Sequence, residues 1–240
     1  GAEAGRVRCV MPGGPWGFPA EQALDCPLYV ASDGVTNCAD NITAVAAAPY
    51  FGGYISDFRN AEGGAFEQLV EWTTHADGGL GNLFAELESG ALVGGTGAVD
   101  QARGVMQANR AVADRFGLPM IAYEGGQHLT PYSALGTSCN EWNNPPECAP
   151  YFAIQSLYMA ANRDARMGNL YDAYLHAWRD EGGTLFVHYA GLQWNNPQYG
   201  SWGAKEYAGQ SDVSAPKYLA LRRWQTRLDA IEIFEDGFEP

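Results

Sequence analysis

The sequence predicts an α/β fold with a parallel sheet, and three observations carry that prediction. Four short apolar runs recur along the chain, helical patterns fill the intervals between them, and none of the runs alternates cleanly between apolar and polar residues. Strands of a parallel sheet are covered on both faces, so they lose the in-and-out alternation of a half-exposed strand. Alternation of strand and helix is the pattern of an α/β domain.

The runs are "RVRCVM" (Arg6 to Met11), "ITAVAAAPYF" (Ile42 to Phe51), "PMIAYE" (Pro119 to Glu124) and "TLFVHYA" (Thr184 to Ala190). Helices are predicted over Ala65 to Thr74 and Leu80 to Glu88, separated by "HADGG". The strongest pattern is Val99 to Phe116, which places Val99, Ala102, Met106, Ala113 and Phe116 near one face. Gly117 stops that helix and Pro119 opens the next strand. Further helices are expected over Pro150 to Asn162, over Arg166 to Asp180 with "EGG" closing it, and over Pro216 to Leu228 with Pro216 as the start signal. Tyr158, Tyr171, Tyr174 and Trp178 fall at helical spacing and read as core. His75 and His176 lie in helical stretches and are expected to face solvent or to satisfy a core contact.

Two architectures fit such an order, a barrel and an open doubly wound sheet. The phosphate-binding loops of the second are missing. "GGTGAVDQARG" is rich in glycine, but no strand precedes it, and it matches neither GxGxxG nor GxxxxGK[ST]. There is no GxSxG elbow, no HExxH and no internal repeat.

Composition narrows the partners. The 240 residues suffice for one large domain or two small ones, and 46% apolar with 18% charged residues permits a substantial core. A net charge of −14 argues against a nucleic-acid backbone or an anionic membrane as partner. A neutral ligand such as a sugar meets no such objection. No run reaches the roughly 18 apolar residues of a membrane span. No motif calls for a cofactor and no cluster for a metal. With no initiator Met and no signal peptide, Gly1 reads as a mature or cut end.

The five cysteines are informative by position. Cys26 and Cys38 bracket "CPLYVASDGVTNC", and Cys139 and Cys148 bracket "CNEWNNPPEC". Both pairs read as local disulfides, which implies a secreted or periplasmic protein; five reduced, unrelated cysteines is the other reading. Cys9 is left over inside an apolar run and is expected to be a buried free thiol. No CxxC spacing suggests zinc.

One acid stands out. Glu124 ends its apolar run, and Gly125 and Gly126 follow it. In a parallel barrel the active site lies at the C-terminal ends of the strands, so a carboxylate there would project into the mouth while the glycines let the chain turn away. The other run ends are aromatic or polar: Tyr50 and Phe51, then His188 and Tyr189. Trp194, Tyr199 and Trp202 follow in "GLQWNNPQYGSWG", and His128 lies just past the glycines. Flat rings cover the apolar faces of a sugar, and Asn, Gln and His satisfy its hydroxyls. Trp142 and Trp202 are candidate sugar platforms, with plain loop packing as the alternative.

"LPMIAYEGGQHL", "AAAPYFGGYI", "AANRDARMGNLYDAYLHAW" and "YGSWGAKEY" resemble the C-terminal half of a bacterial family of secreted (β/α)8-barrel proteins. That family is similar to clan A glycoside hydrolases, and some members are described as cellulose-binding. The resemblance runs from about Arg6 to Leu228 and is most specific at "YEGGQHL". It implies a partial (β/α)8 (TIM) barrel, strands five to eight, over residues 1–229, with an acidic tail at 230–240. It sets Glu124 at the end of strand seven, where clan A enzymes keep their nucleophile. Those enzymes carry the acid/base on strand four, usually as Asn-Glu, and the resemblance gives this chain no strand four. Asn140–Glu141 comes after Glu124 and inside the disulfide loop, and reads as a decoy.

The implied activity is retaining hydrolysis of O-glycosyl bonds in a polysaccharide or oligosaccharide, with Glu124 as nucleophile and the acid/base supplied elsewhere. Tyr50 or His188 would orient the Glu124 carboxylate. The isolated chain is then expected to be weak or inactive, as a fragment or truncated relative. The other reading is non-catalytic carbohydrate binding through Tyr50, Phe51, His128, His188, Tyr189, Trp194 and Trp202. Four barrel strands leave two open edges, so self-association or pairing with an N-terminal half-barrel is expected. Asn41-Ile42-Thr43 matches a glycosylation sequon, and "IEIFEDGFEP" resembles a C-terminal motif of secreted proteins.

Overall fold

The computed structural model describes residues 7–56, 65–130, 139, 145–195 and 200–229. The chain divides into two compact units, each made of three segments, with residues 1–51, 100–126 and 176–188 in the first.

The first unit holds the sheet: β1 (Val10–Gly14), β2 (Ala44–Ala47), β3 (Met120–Ala122) and β4 (Gly183–Phe186). All three pairings are parallel, and the strands lie in chain order. An order without reversal has no topological switch point, the place where a doubly wound sheet binds its ligand. The strands are shorter than the apolar runs that predict them, and β1 lies further along the chain than "RVRCVM". Burial on both faces holds in the centre only. β2 is buried throughout and β3 nearly so, whereas β1 and β4 are the sheet edges and expose Val10 and Leu185. Cys9, just before edge strand β1, is an exposed free thiol, which corrects its expected burial.

Two helices escape the sequence pattern, α1 (Phe18–Asp25) and α2 (Pro27–Asp33). Each carries a proline in its first turn, where the missing N–H costs nothing. α1 packs Ala20 and Leu24 inward; α2 buries no side chain. The disulfide Cys26–Cys38 ties α2 at its start. Helix α5 (Ala98–Arg115) belongs to this unit from Asp100 on and buries Ala102, Met106 and Ala113, close to the predicted face. Gly117, at φ 67°, ends it as expected. Two close approaches lock the sheet: Asn109 lies over Gly13 and donates to the Gly14 carbonyl at 3.0 Å, and the Trp178 ring lies over Gly183. Arg103 and Arg110 hold the turn before β4, through Glu181 and the Gly182 carbonyl.

The second unit is helical: α3 (Ala65–Trp72), α4 (Leu80–Ser89), α6 (Ala149–Arg163), α7 (Ala165–Asp180) as far as Leu175, and α8 (Pro216–Asp229). Its core includes Leu69, Trp72, Leu83, Phe84, Ile154, Tyr158, Tyr171 and Tyr174, so the tyrosines read as core are core; Trp178 is buried in the first unit. His75, past the end of α3, pairs with Glu71 at 2.8 Å. Cys139–Cys148 closes before α6. The glycine-rich stretch around residues 90–97 also has its explanation here. Glu86 is fully buried, and its carboxylate accepts the backbone N–H groups of Leu92 (2.8 Å), Val93 (3.0 Å) and Gly94 (2.7 Å) and the Tyr54 hydroxyl (2.8 Å). Successive amides form an anion-binding nest, and the chain fills it with its own acid.

Among the described residues no helix is long and apolar enough to cross a membrane, and no His/Cys/Asp/Glu group is placed to hold a metal. Trp142, Tyr199, Asn140–Glu141 and the acidic tail lie outside the described residues.

Candidate functional site

In the first unit, the C-terminal ends of four parallel strands share one edge. β3 ends at Ala122, so Glu124 is the second residue beyond the strand and not its last. The sheet extends a little further through two bonds: Tyr123 N–H donates to the Ala47 carbonyl at 3.2 Å, and Val187 N–H to the Ala122 carbonyl at 3.1 Å. Gly126, at φ 145°, then turns so that its carbonyl accepts the Phe51 N–H at 3.0 Å. This is the pliability that the paired glycines supply.

Ala122 pairs with Phe186, and Glu124 and His188 each stand two residues beyond that pair. They therefore occupy the same level past adjacent strands. Tyr50 follows β2, on the other side of β3. Glu124 is partly buried. The Tyr123 hydroxyl is pushed up in pKa by burial and then by the charge of Glu124. Phe51 is 1% exposed and serves the core, so its ring is not available to a ligand. Of the segments that leave the four strand ends (residues 15–17, 48–51, 123–126 and 187–188), only the third carries an acid, Glu124.

A second group forms in the helical unit. The Trp202 ring lies 5.9 Å from His128 and 6.0 Å from Tyr189, centroid to centroid, in tilted and edge-on geometry. Trp194 is 67% exposed, and Tyr189 is 44% exposed. The peptide bond Tyr189–Ala190 is cis. The Trp202 backbone is held on both sides: its N–H donates to Gln193 Oε1 at 2.9 Å, and its carbonyl accepts from Ala190 N–H at 3.2 Å. Gly203 allows this clasp, since a Cβ there would meet the Gln193 nitrogen at 2.5 Å. The indole Nε1 is buried and has no hydrogen-bond partner among the described residues.

The residues that set this geometry carry no motif. Gln127 is fully buried. Its N–H donates to the Tyr171 hydroxyl at 3.0 Å, its Nε2 to the Ser201 carbonyl at 2.9 Å, and its Oε1 accepts from Leu129 N–H at 2.6 Å. Lys217, in the first turn of α8, is 4% exposed. Its Nζ donates to Asn162 Oδ1 at 2.8 Å and to the Ser201 carbonyl. Burial pulls its pKa down to about 7, against the favourable charge of Glu206. Glu206 in turn accepts two hydrogen bonds from Arg163, at 2.6 and 2.8 Å, and these hold its carboxyl below the usual range. The only sequence signal for Gln127 and Ser201 is adjacency to His128 and Trp202.

The residues that the sequence singles out thus fall into two groups. Glu124, His188 and Tyr50 share the strand-end edge of the first unit; His128, Tyr189 and Trp202 meet in the second, where Trp194 is exposed. Both disulfides are formed as read. No protein-family model, curated protein or solved structure matches this chain.

Proposed function

We propose that this chain is part of a (β/α)8-barrel protein that acts on a polysaccharide or oligosaccharide as a retaining glycoside hydrolase, with Glu124 as nucleophile. The observation that carries the reading is the position of Glu124, the single acid on segments leaving the C-terminal ends of parallel strands, beyond a central strand. Strands in chain order are what consecutive barrel strands display. In the reaction the Glu124 carboxylate attacks the anomeric carbon as the bond to the leaving oxygen breaks; a second carboxyl group about 5–5.5 Å away protonates that oxygen and later activates water. No second acid leaves these strand ends among the described residues, so in this reading that group lies outside those segments. His188, level with Glu124 beyond the end of the adjacent strand, orients the nucleophile.

The test is intact-mass labelling with 2-deoxy-2-fluoro glycosides that carry a dinitrophenolate leaving group. Such a group departs as the phenolate without acid assistance, so the missing carboxyl does not mask the nucleophile. A glycosyl adduct mapped to Glu124, and absent in Glu124→Gln, supports the reading. An adduct on another residue, or none across the panel, counts against it.

A second reading is favoured by the aromatic group: non-catalytic retention of a polysaccharide of the cellulose type through Trp202, Tyr189, His128 and the exposed Trp194. It expects retention on cellulose or xylan that falls on Trp194→Ala or Trp202→Ala. The two disulfides support an oxidising, extracellular or periplasmic compartment for either reading. The open edge of β4, with Leu185 and Val187 exposed, supports pairing with an N-terminal half-barrel or a second copy. Pro12 and the register shift in β1 blunt the opposite edge.

A further inference from the structure

A lysine head group is seldom buried without acceptors, because desolvating it is costly. Lys217 has two, and one of them is the backbone carbonyl immediately before Trp202. Asn162 Oδ1 comes from α6. The Ser201 carbonyl is the group immediately before Trp202, and it receives a second donor, Gln127 Nε2. The Ser201 hydroxyl donates to Asn195 Oδ1, which fastens the same residue from its side chain. One carbonyl thus gathers α8, through Lys217, and the segment carrying His128, through Gln127. The ring that follows it lies against His128 and Tyr189. The charged groups facing Lys217 are Glu206 and, behind it, Arg163.

We propose that Lys217 is a positioning residue for a sugar-stacking surface made by Trp202, His128 and Tyr189, holding the Trp202 indole in place through the Ser201 carbonyl. The proposal rests on the polysaccharide-binding reading of this group. Lys217 touches no ligand. It acts by fixing the backbone from which the indole projects, so that stacking costs little ordering on binding. A methionine in its place fills a similar length of side chain and offers no donor, which separates the hydrogen bonds from the packing.

The experiment uses the whole chain, labelled with ¹⁵N, with the Trp202 indole resonance assigned through Trp202→Phe. Retention is measured on microcrystalline cellulose and insoluble xylan. In Lys217→Met the far-UV spectrum and cooperative melting persist, the Trp202 indole resonance shifts and broadens, and retention falls about tenfold, toward that of Trp202→Ala. Lys217→Gln, which returns an N–H donor, recovers part of both signals. A folded Lys217→Met with the indole resonance and retention unchanged overturns the proposal. Failure of both variants to fold overturns it too, since Lys217 would then serve the fold at large. If the unmutated chain is retained on neither polysaccharide, the binding reading falls, and the indole resonance in Lys217→Met still decides whether Lys217 positions Trp202.

Discussion

The carboxylate of Glu86 accepts the backbone N–H of Gly94 at 2.7 Å, eight residues further along the chain. With Leu92 and Val93 also donating, a fully buried acid organises the turn after α4. Glu86→Leu strands these amides and the Tyr54 hydroxyl, each at roughly 1–3 kcal/mol when it stays buried. We expect a loss of about 3 kcal/mol in urea unfolding, and faster amide exchange at residues 92–94. Unchanged exchange there would contradict the nest.

Lys217 makes stability depend on pH in an unusual direction. Its folded pKa, about 7, lies below the ordinary lysine value of 10.5, so between these limits the unfolded chain binds more protons than the folded one. Stability from this group therefore rises with pH from about 7 to 10.5, by up to about 1.4 kcal/mol per pH unit, and is at its lowest below pH 7. Tyr54 and Tyr171, both raised by burial, work the opposite way above pH 10. Urea midpoints at pH 7 and 9 should differ in the unmutated chain, and the difference should shrink in Lys217→Met.

Gly183 leaves no room for a side chain, because an added Cβ would sit 2.0 Å from an atom of the buried Trp178 ring. Gly183→Ala should cost about 1–3 kcal/mol by overpacking. Gly104→Ala is the control: nothing lies within 4 Å of its Cβ, and it is helical, so that change should be neutral or stabilising. Thermal unfolding of the two variants checks this.

Reduction should act locally at α2. With no buried side chain of its own, that helix depends on Cys26–Cys38, a link across 12 residues worth about 3 kcal/mol in the chain-entropy account. Hydrogen exchange with and without reductant should show α2 opening while β2 stays protected.

Cys9 is exposed, so one thiol should react with iodoacetamide in the native, unreduced protein. Labelling only after denaturation would show that Cys9 is covered.

The sequence made the sheet legible where burial is complete. "AVAA" and "MIA" are strands because nothing polar interrupts them. It misplaced β1, because an edge strand need not be apolar: Pro12 and Gly13 belong to the strand, while the more promising "RVRC" lies before it. α1 and α2 were hidden because α2 has no apolar face to supply a period. At the candidate sites the aromatics and Glu124 were visible by type. Gln127, Ser201 and Lys217 were not, because the hydrogen bonds that join Ser201 to Gln127 and to Lys217 span 74 and 16 residues and leave no local spacing.

The strand order β1-β2-β3-β4 also has a temporal meaning. Each strand pairs with its predecessor in the chain, so none waits for a later one to be inserted beside it. During synthesis the sheet can grow by accretion at one border, as ribosomal output is laid down in the order it appears. Of these four strands β4 arrives last, and it presents a border without a charged residue.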